Sequence, residues 1–181
     1  MRRTKWAAVA IAVIALGAAG CGTGDAGTEG EVAPMSPRPS GTGPLTREVA
    51  RTDLDTAAAA AGIPANVPEY AGMNEDAPAG SPRSCGVAFK GFGTETTPVD
   101  VARFDAVVRE LRKRDWEQSG KRTDRKDVKD GVINQAQVTL KQRGWTTLAE
   151  YRTALDGGVI TLLSSEDECM KKFGADASAV G

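Results

Sequence analysis

The chain contains no histidine among its 181 residues. Histidine is the usual general base near neutral pH and the commonest transition-metal ligand. Its absence excludes Ser–His and Cys–His nucleophile pairs within this chain, and zinc sites of the histidine type. Aromatic residues are scarce, at 5%, so the core must rest on Val, Ile, Leu and Ala. Neither sign of charge dominates, with 23 Lys+Arg against 24 Asp+Glu. A balanced chain has no global field to recruit nucleic acid. The sequence therefore predicts no nucleic-acid partner, no cofactor and no metal.

Long apolar runs are also missing. The longest apolar run, Trp6 to Gly20, is about fifteen residues, short of the ~20 that span a bilayer as a helix. It follows a basic start, Arg2, Arg3 and Lys5, and ends in small residues. That order describes a secretory signal; a retained anchor helix is the other reading. Arg2-Arg3 also invites a twin-arginine reading, but the Ser and Phe-Leu-Lys that flank that signal are absent, and general secretion is preferred.

The segment Leu16-Gly17-Ala18-Ala19-Gly20-Cys21 resembles the lipobox of bacterial lipoproteins. The resemblance implies a diacylglyceryl group on the Cys21 thiol and cleavage between Gly20 and Cys21. It covers only the first 21 residues. It implies an address, the outer face of the cell membrane, and no activity. Two or more acyl chains would hold stably where one holds marginally, at about 0.8 kcal/mol per buried methylene. A leftover thiol beside an ordinary signal cut is the alternative.

Removal of residues 1–20 would leave about 160 residues, enough for one domain and a tail. Residues 21–44 hold Gly, Thr, Ser, Pro34, Pro37 and Pro39, with too little apolar surface to offset ordering entropy. They read as a disordered tether reaching on the order of 25–30 Å. Residues 45–181 read as a single domain. With Cys21 used by lipid, Cys85 and Cys169 remain, and two cysteines in an exported domain most often pair. Closing a loop of about 84 residues stabilises by roughly 4–5 kcal/mol in the chain-entropy model. Two free thiols, one of them catalytic, is the alternative.

A first helix is expected from about Leu45 to Ala61, with Thr46 as N-cap and Gly62 ending it before Pro64. Ala50, Leu54, Ala57, Ala58 and Ala61 share one face. Residues 62–83 are punctuated by Pro and Gly and read as a loop, with a packed turn around Val67 and Tyr70. Cys85 to Phe92 reads as a strand, Val87 and Phe89 on one face and Ala88, Lys90 and Phe92 on the other. A second helix is expected with Thr97 as cap, Pro98 at its first position and Val101, Phe104, Val107, Val108 and Leu111 as its buried stripe. An antiparallel meander follows: Trp116 to Arg122, a charged loop, Val132 to Lys141, Thr146 to Leu155 and Gly158 to Ser165. Asp130-Gly131, Arg143-Gly144 and Asp156-Gly157 are its turn signals.

The order predicts an α+β domain with two helices packed on one face of an antiparallel sheet of about five strands. In lipobox, tether and paired cysteines the chain resembles small lipoproteins of high-GC Gram-positive bacteria.

Few constellations carry chemistry. Gly91-Phe92-Gly93 lacks the third glycine and the lysine of a phosphate loop, and marks a strand end. The basic run Arg109, Arg112, Lys113 and Arg114 is interleaved with acids and reads as a solvated helix end. Glu166, Asp167 and Glu168 lack EF-hand spacing. Trp116, Trp145 and Tyr151 are the candidate ligand contacts, with core packing as the default for Trp. The expected function is a membrane-tethered, non-enzymatic binding or protein-interaction module for an unidentified protein or small molecule. A carboxylate-based hydrolase and a structural envelope protein without ligand are the alternatives.

Overall fold

The computed structural model describes residues 43–69, 77–154 and 157–174. The leader, Gly20, Cys21, most of the tether, Tyr70 and Asp156 lie outside the described residues. Helix α1 spans Arg47–Ala60 and begins as its cap predicts. Thr46 is extended at φ −83° and ψ 160°, and its side chain accepts from Val49 N. The far end closes as a Schellman motif. Gly62 sits at φ +70°, Gly62 N donates to Ala59 O at 2.9 Å and Ile63 N to Ala58 O at 3.0 Å. Glycine adopts that backbone without strain, and the buried Ile63 supplies the apolar contact such caps favour.

Helix α2 spans Val101–Arg112. It starts later than the Thr97-Pro98 pattern predicts. Asp100 is the N-cap, its carboxylate accepting from Arg103 N at 2.8 Å. Thr97 is spent on a tight turn of its own, where its N–H bonds Thr94 Oγ1 at 3.0 Å and its carbonyl accepts from Thr94 N. The exit from α2 turns sharply: Asp115 takes φ +64° and Trp116 N returns to Leu111 O at 3.2 Å. That reversal aims Trp116 inward.

Six strands follow one antiparallel plan: β1 Gly86–Phe92, β2 Glu117–Gln118, β3 Thr123–Lys126, β4 Ile133–Gln142, β5 Trp145–Ala154 and β6 Gly157–Glu166. Their order is β1-β6-β5-β4-β2, with β3 also paired to β4. The fold is thus an α+β sheet with two helices, with six strands where five are expected. The extra strand, β3, lies inside the run expected to be a charged loop, and the strand expected from Trp116 shrinks to Glu117–Gln118. Arg122 explains this. Its guanidinium bonds Asp105 on α2, bonds Asp124 at 2.6 Å, and lies 5.5 Å from the Phe104 ring centroid. It ties a polar strand to the helix layer without apolar side chains. The β3–β4 connection, residues 127–132, is what remains of the charged loop expected there, and it is closed by Asp127 N to Val132 O at 2.8 Å. Arg143-Gly144 forms the predicted two-residue turn, with φ +41° and +82°.

Period-two alternation decides what is buried. Val87 and Phe89, Ala136, Val138 and Leu140, Ala149 and Tyr151, and Ile160 and Leu162 share one core with Leu54, Phe104, Val107 and Leu111 of the helices. The alanines of α1 let its backbone approach the sheet closely. Both outer strands are guarded. Asn66 acts as a substitute strand for β1: its side-chain nitrogen donates to Ala88 O at 3.0 Å and its oxygen accepts from Lys90 N at 2.9 Å. Val67 N then donates to Lys90 O. On β3, an antiparallel copy centred on Asp124, Arg125 or Lys126 would set a charge opposite itself, which disfavours edge pairing.

A short helix, α3, spans Asp167–Lys171. It lies on the sheet face turned away from α1 and α2. Asp167 Oδ1 accepts from Thr146 Oγ1, on that face of β5, at 2.7 Å. Cys169 is joined to Cys85 before β1 by a disulfide, with 5.5 Å between Cα atoms. Thr146, Cys85, Ala88 and Met170 are buried there.

At the start of β6 the backbone packs tightly. A Cβ on Gly158 would meet Val99 O at 2.1 Å and the Tyr151 ring at 2.5 Å. The neighbouring Gly93 N donates to Gly158 O at 2.7 Å. Gly158→Ala is expected to cost about 1–3 kcal/mol through overpacking against backbone. Urea unfolding checks this as a lower midpoint at unchanged slope; an unchanged midpoint disproves the close approach.

Candidate functional site

The three aromatic side chains singled out as ligand contacts stand on the helix-covered face. Trp116 is 1% exposed, Trp145 3% and Tyr151 5%. Each polar tip has a structural task. The Trp116 indole N–H donates to Asp53 Oδ2 at 2.9 Å. The Trp145 indole N–H donates to Leu45 O at 2.8 Å. The Tyr151 hydroxyl lies 3.4 Å from Thr153 Oγ1, and its ring packs 6.5 Å from that of Phe104. The two indoles thus fasten α1 and its approach to the sheet. The structure does not bring the three rings together as a stacking platform.

Asp53 escapes notice in the sequence. It occupies the stripe of α1 between Ala50 and Leu54, and it is buried. A carboxylate three residues after Ala50 on an apolar face was the available signal. Its bond to Trp116 gives this buried acid a hydrogen-bond partner inside the core. The buried hydroxyls of Thr147 and Ser164, 2.9 Å apart, satisfy one another on the same face.

Trp145 also lines a surface cleft of about 390 Å³ at the β4–β5 turn, with Gly43, Pro44, Arg143, Gly144, Glu166 and Glu168. Arg143 donates to Gly43 O at 3.3 Å. Lys171 Nζ, 2.6 Å from Glu168 Oε1, donates the hydrogen bond that chiefly holds the Glu168 carboxyl below its ordinary value. Two acids of the triplet are structural ties: Asp167 binds Thr146 through its carboxylate and Gly144 O through its backbone N–H, and Glu168 binds Lys171. Among the described residues no group of three or more His, Cys, Asp or Glu could hold a metal ion. Gly91 and Gly93 are packing glycines: a Cβ on Gly91 would lie 2.4 Å from Ile63 Cγ2, and one on Gly93 2.4 Å from Val99 N.

A second candidate surface is the sheet face opposite the helices. Strand register sets Lys90, Thr161, Glu150 and Gln137 in a row across four strands. Beside it run Ala88, Leu163, Leu148 and Thr139, and on its other side Phe92, Val159, Arg152 and Gln135. Glu150 accepts from Gln135 Nε2 at 2.7 Å and from Arg152. Lys90 Nζ lies 5.2 Å from the centroid of the exposed Phe92 ring. The middle row is a polar band, the row through Leu148 and Leu163 is mostly apolar, and the row through Phe92 and Arg152 is mixed.

No protein-family model matches this chain, nor does any curated protein or solved structure.

Trp116→Phe removes one donor to a buried carboxylate and leaves a small void. The expected cost is about 2–3 kcal/mol of stability, measured by thermal or urea unfolding. A loss under about 0.5 kcal/mol, the scale of an ordinary surface substitution, would show that the indole does not secure Asp53.

Proposed function

We propose that this protein is a lipoprotein fixed by Cys21 to the outer face of the membrane, where its domain serves as a non-enzymatic interaction module. Its partner is another protein, met through the sheet face that carries Lys90, Leu148, Glu150, Thr161 and Leu163. The observation that supports the partner class is the form of this face. It spreads mixed polar and apolar groups across four strands, a width of roughly 15–20 Å, rather than converging them on a point. Small-molecule sites are concave and mostly apolar, whereas a protein interface taken as a whole is extended and about as mixed in polarity as ordinary protein surface. The anchor rests on the basic start, the short apolar run and Cys21. Among the described residues no helix is long and apolar enough to cross a membrane.

Cys21→Ser in the full-length protein is expected to move it from the membrane fraction to the soluble extracytoplasmic fraction and to abolish metabolic labelling with palmitate. Unchanged fractionation would mean a retained helix instead. A photo-crosslinker at Thr161 is expected to capture a protein on intact cells, and Leu148→Arg to abolish that capture. Capture indifferent to Leu148→Arg, or none at all, would remove the sheet face from the reading.

A further inference from the structure

The disulfide sits apart from the main core. Leu54, Phe104, Val107, Leu140 and Leu162 belong to one cluster on the helix side of the sheet. Cys85, Ala88 and Met170 are buried too, yet none of them belongs to that cluster. They form a small covered area on the opposite face, at the end where α3 crosses from Thr146 to Cys85. A helix of five residues has no stability of its own. After Asp167, which is tied to Thr146 and to Gly144 O, α3 is held down by the covalent link and by Met170. The two sulfur-bearing residues also differ in access. Cys85 is 2% exposed, whereas Cys169 is partly exposed.

We propose that the Cys85–Cys169 bond is a redox latch, which when reduced releases α3 and enlarges the apolar area of the open sheet face without unfolding the domain. The reductant is a dithiol. One of its thiolates attacks Sγ of Cys169, the accessible sulfur. The Cys85–Cys169 bond breaks, and Cys85 leaves as a thiolate that takes up a proton. The second thiol of the reductant, as thiolate, then displaces Cys169 from the mixed disulfide. Two electrons and two protons pass to the protein, and the dithiol becomes a disulfide. With the link gone, residues 168–172 lift. Ala88 is then uncovered beside Leu163 and Leu148, its neighbours across the strands. The apolar row of the open face gains length at the end that α3 covers in the oxidised protein. The cross-link also restrains the unfolded chain, so reduction lowers global stability as well; the latch concerns what changes while the sheet remains intact. The latch operates wherever the protein meets a dithiol, and it does not rest on the proposed partner.

Hydrogen exchange followed by mass spectrometry on the full mature chain, oxidised and treated with dithiothreitol without denaturant, tests this. Amides of Lys172, Phe173 and Gly174, bonded to carbonyls of α3, are expected to exchange at least about tenfold faster after reduction. Amides of β4, β5 and β6 are expected to keep their protection over the same labelling times. Cys85→Ser/Cys169→Ser should reproduce the reduced pattern; if that variant does not fold, the reduced wild type decides alone. Equal exchange in the two redox states, loss of protection in β4–β6 together with α3, or a bond that dithiothreitol cannot reduce in native buffer would each overturn the proposal.

Discussion

Burying one face of a six-stranded sheet, and only one, is the constraint on which the rest of this molecule depends. Two helices supply enough apolar surface for one side. Alternation along each strand then assigns every second residue to the core and its neighbour to the open face. The helix side must accept two indoles, a carboxylate and several hydroxyls within a small core. It does so by pairing them: Trp116 with Asp53, Trp145 with Leu45 O, Thr147 with Ser164. Each pairing turns a desolvation penalty into a directional contact. The helices are fixed in position as well as in contact.

The open face obeys a different logic. It needs no continuous apolar surface, so it tolerates Lys90, Glu150 and Arg152 beside Leu148 and Leu163. At one end it is roofed by α3 and the disulfide. A cross-link joining residues 84 apart acts on the unfolded chain through an entropy that grows with the logarithm of loop length. Its effect on the folded state is local, because its neighbours Ala88 and Met170 lie outside the main cluster. Global stability and local covering thus come from one bond by separate routes. The first would survive if the cysteines were moved to other places in the sheet, and the second would not.

Much of this architecture is legible in the sequence because single residues carry it. Thr46 and Gly62 bound α1, Arg143-Gly144 turns β4 into β5, and the alternation through Ala136, Val138 and Leu140 sets a core face. What is not legible depends on competition between neighbouring caps or on distant partners. Thr97-Pro98 looks like a helix start until Thr94 engages Thr97 and Asp100 takes the cap. Residues 123–126 read as a solvated loop because their strand is held by Arg122 reaching Asp105, a contact across 17 positions. The indoles look available to a ligand because each acceptor lies far along the chain: Asp53 is 63 positions from Trp116, and Leu45 is 100 from Trp145. The open face was foreseeable as a surface, but its polar band was not, since that band exists only once four strands are in register.

The β4–β5 turn connects these two systems. Gly144 O accepts from Asp167 N at 2.8 Å, where α3 begins. Arg143 reaches Gly43 O, and Trp145 reaches Leu45 O. One tight turn with two positive φ angles therefore holds the approach to α1 on one side of the sheet and the root of α3 on the other. Such a turn has little freedom to adjust, because its backbone conformation matches the twist of the strands it joins. The tie between Asp167 and Gly144 explains why α3 has a fixed root and a releasable far end. The root shares its anchor with the core side, whereas the far end has Met170 and one sulfur–sulfur bond. A short helix fastened in this way opens by pivoting about Asp167, which leaves the turn, and through it α1, in place.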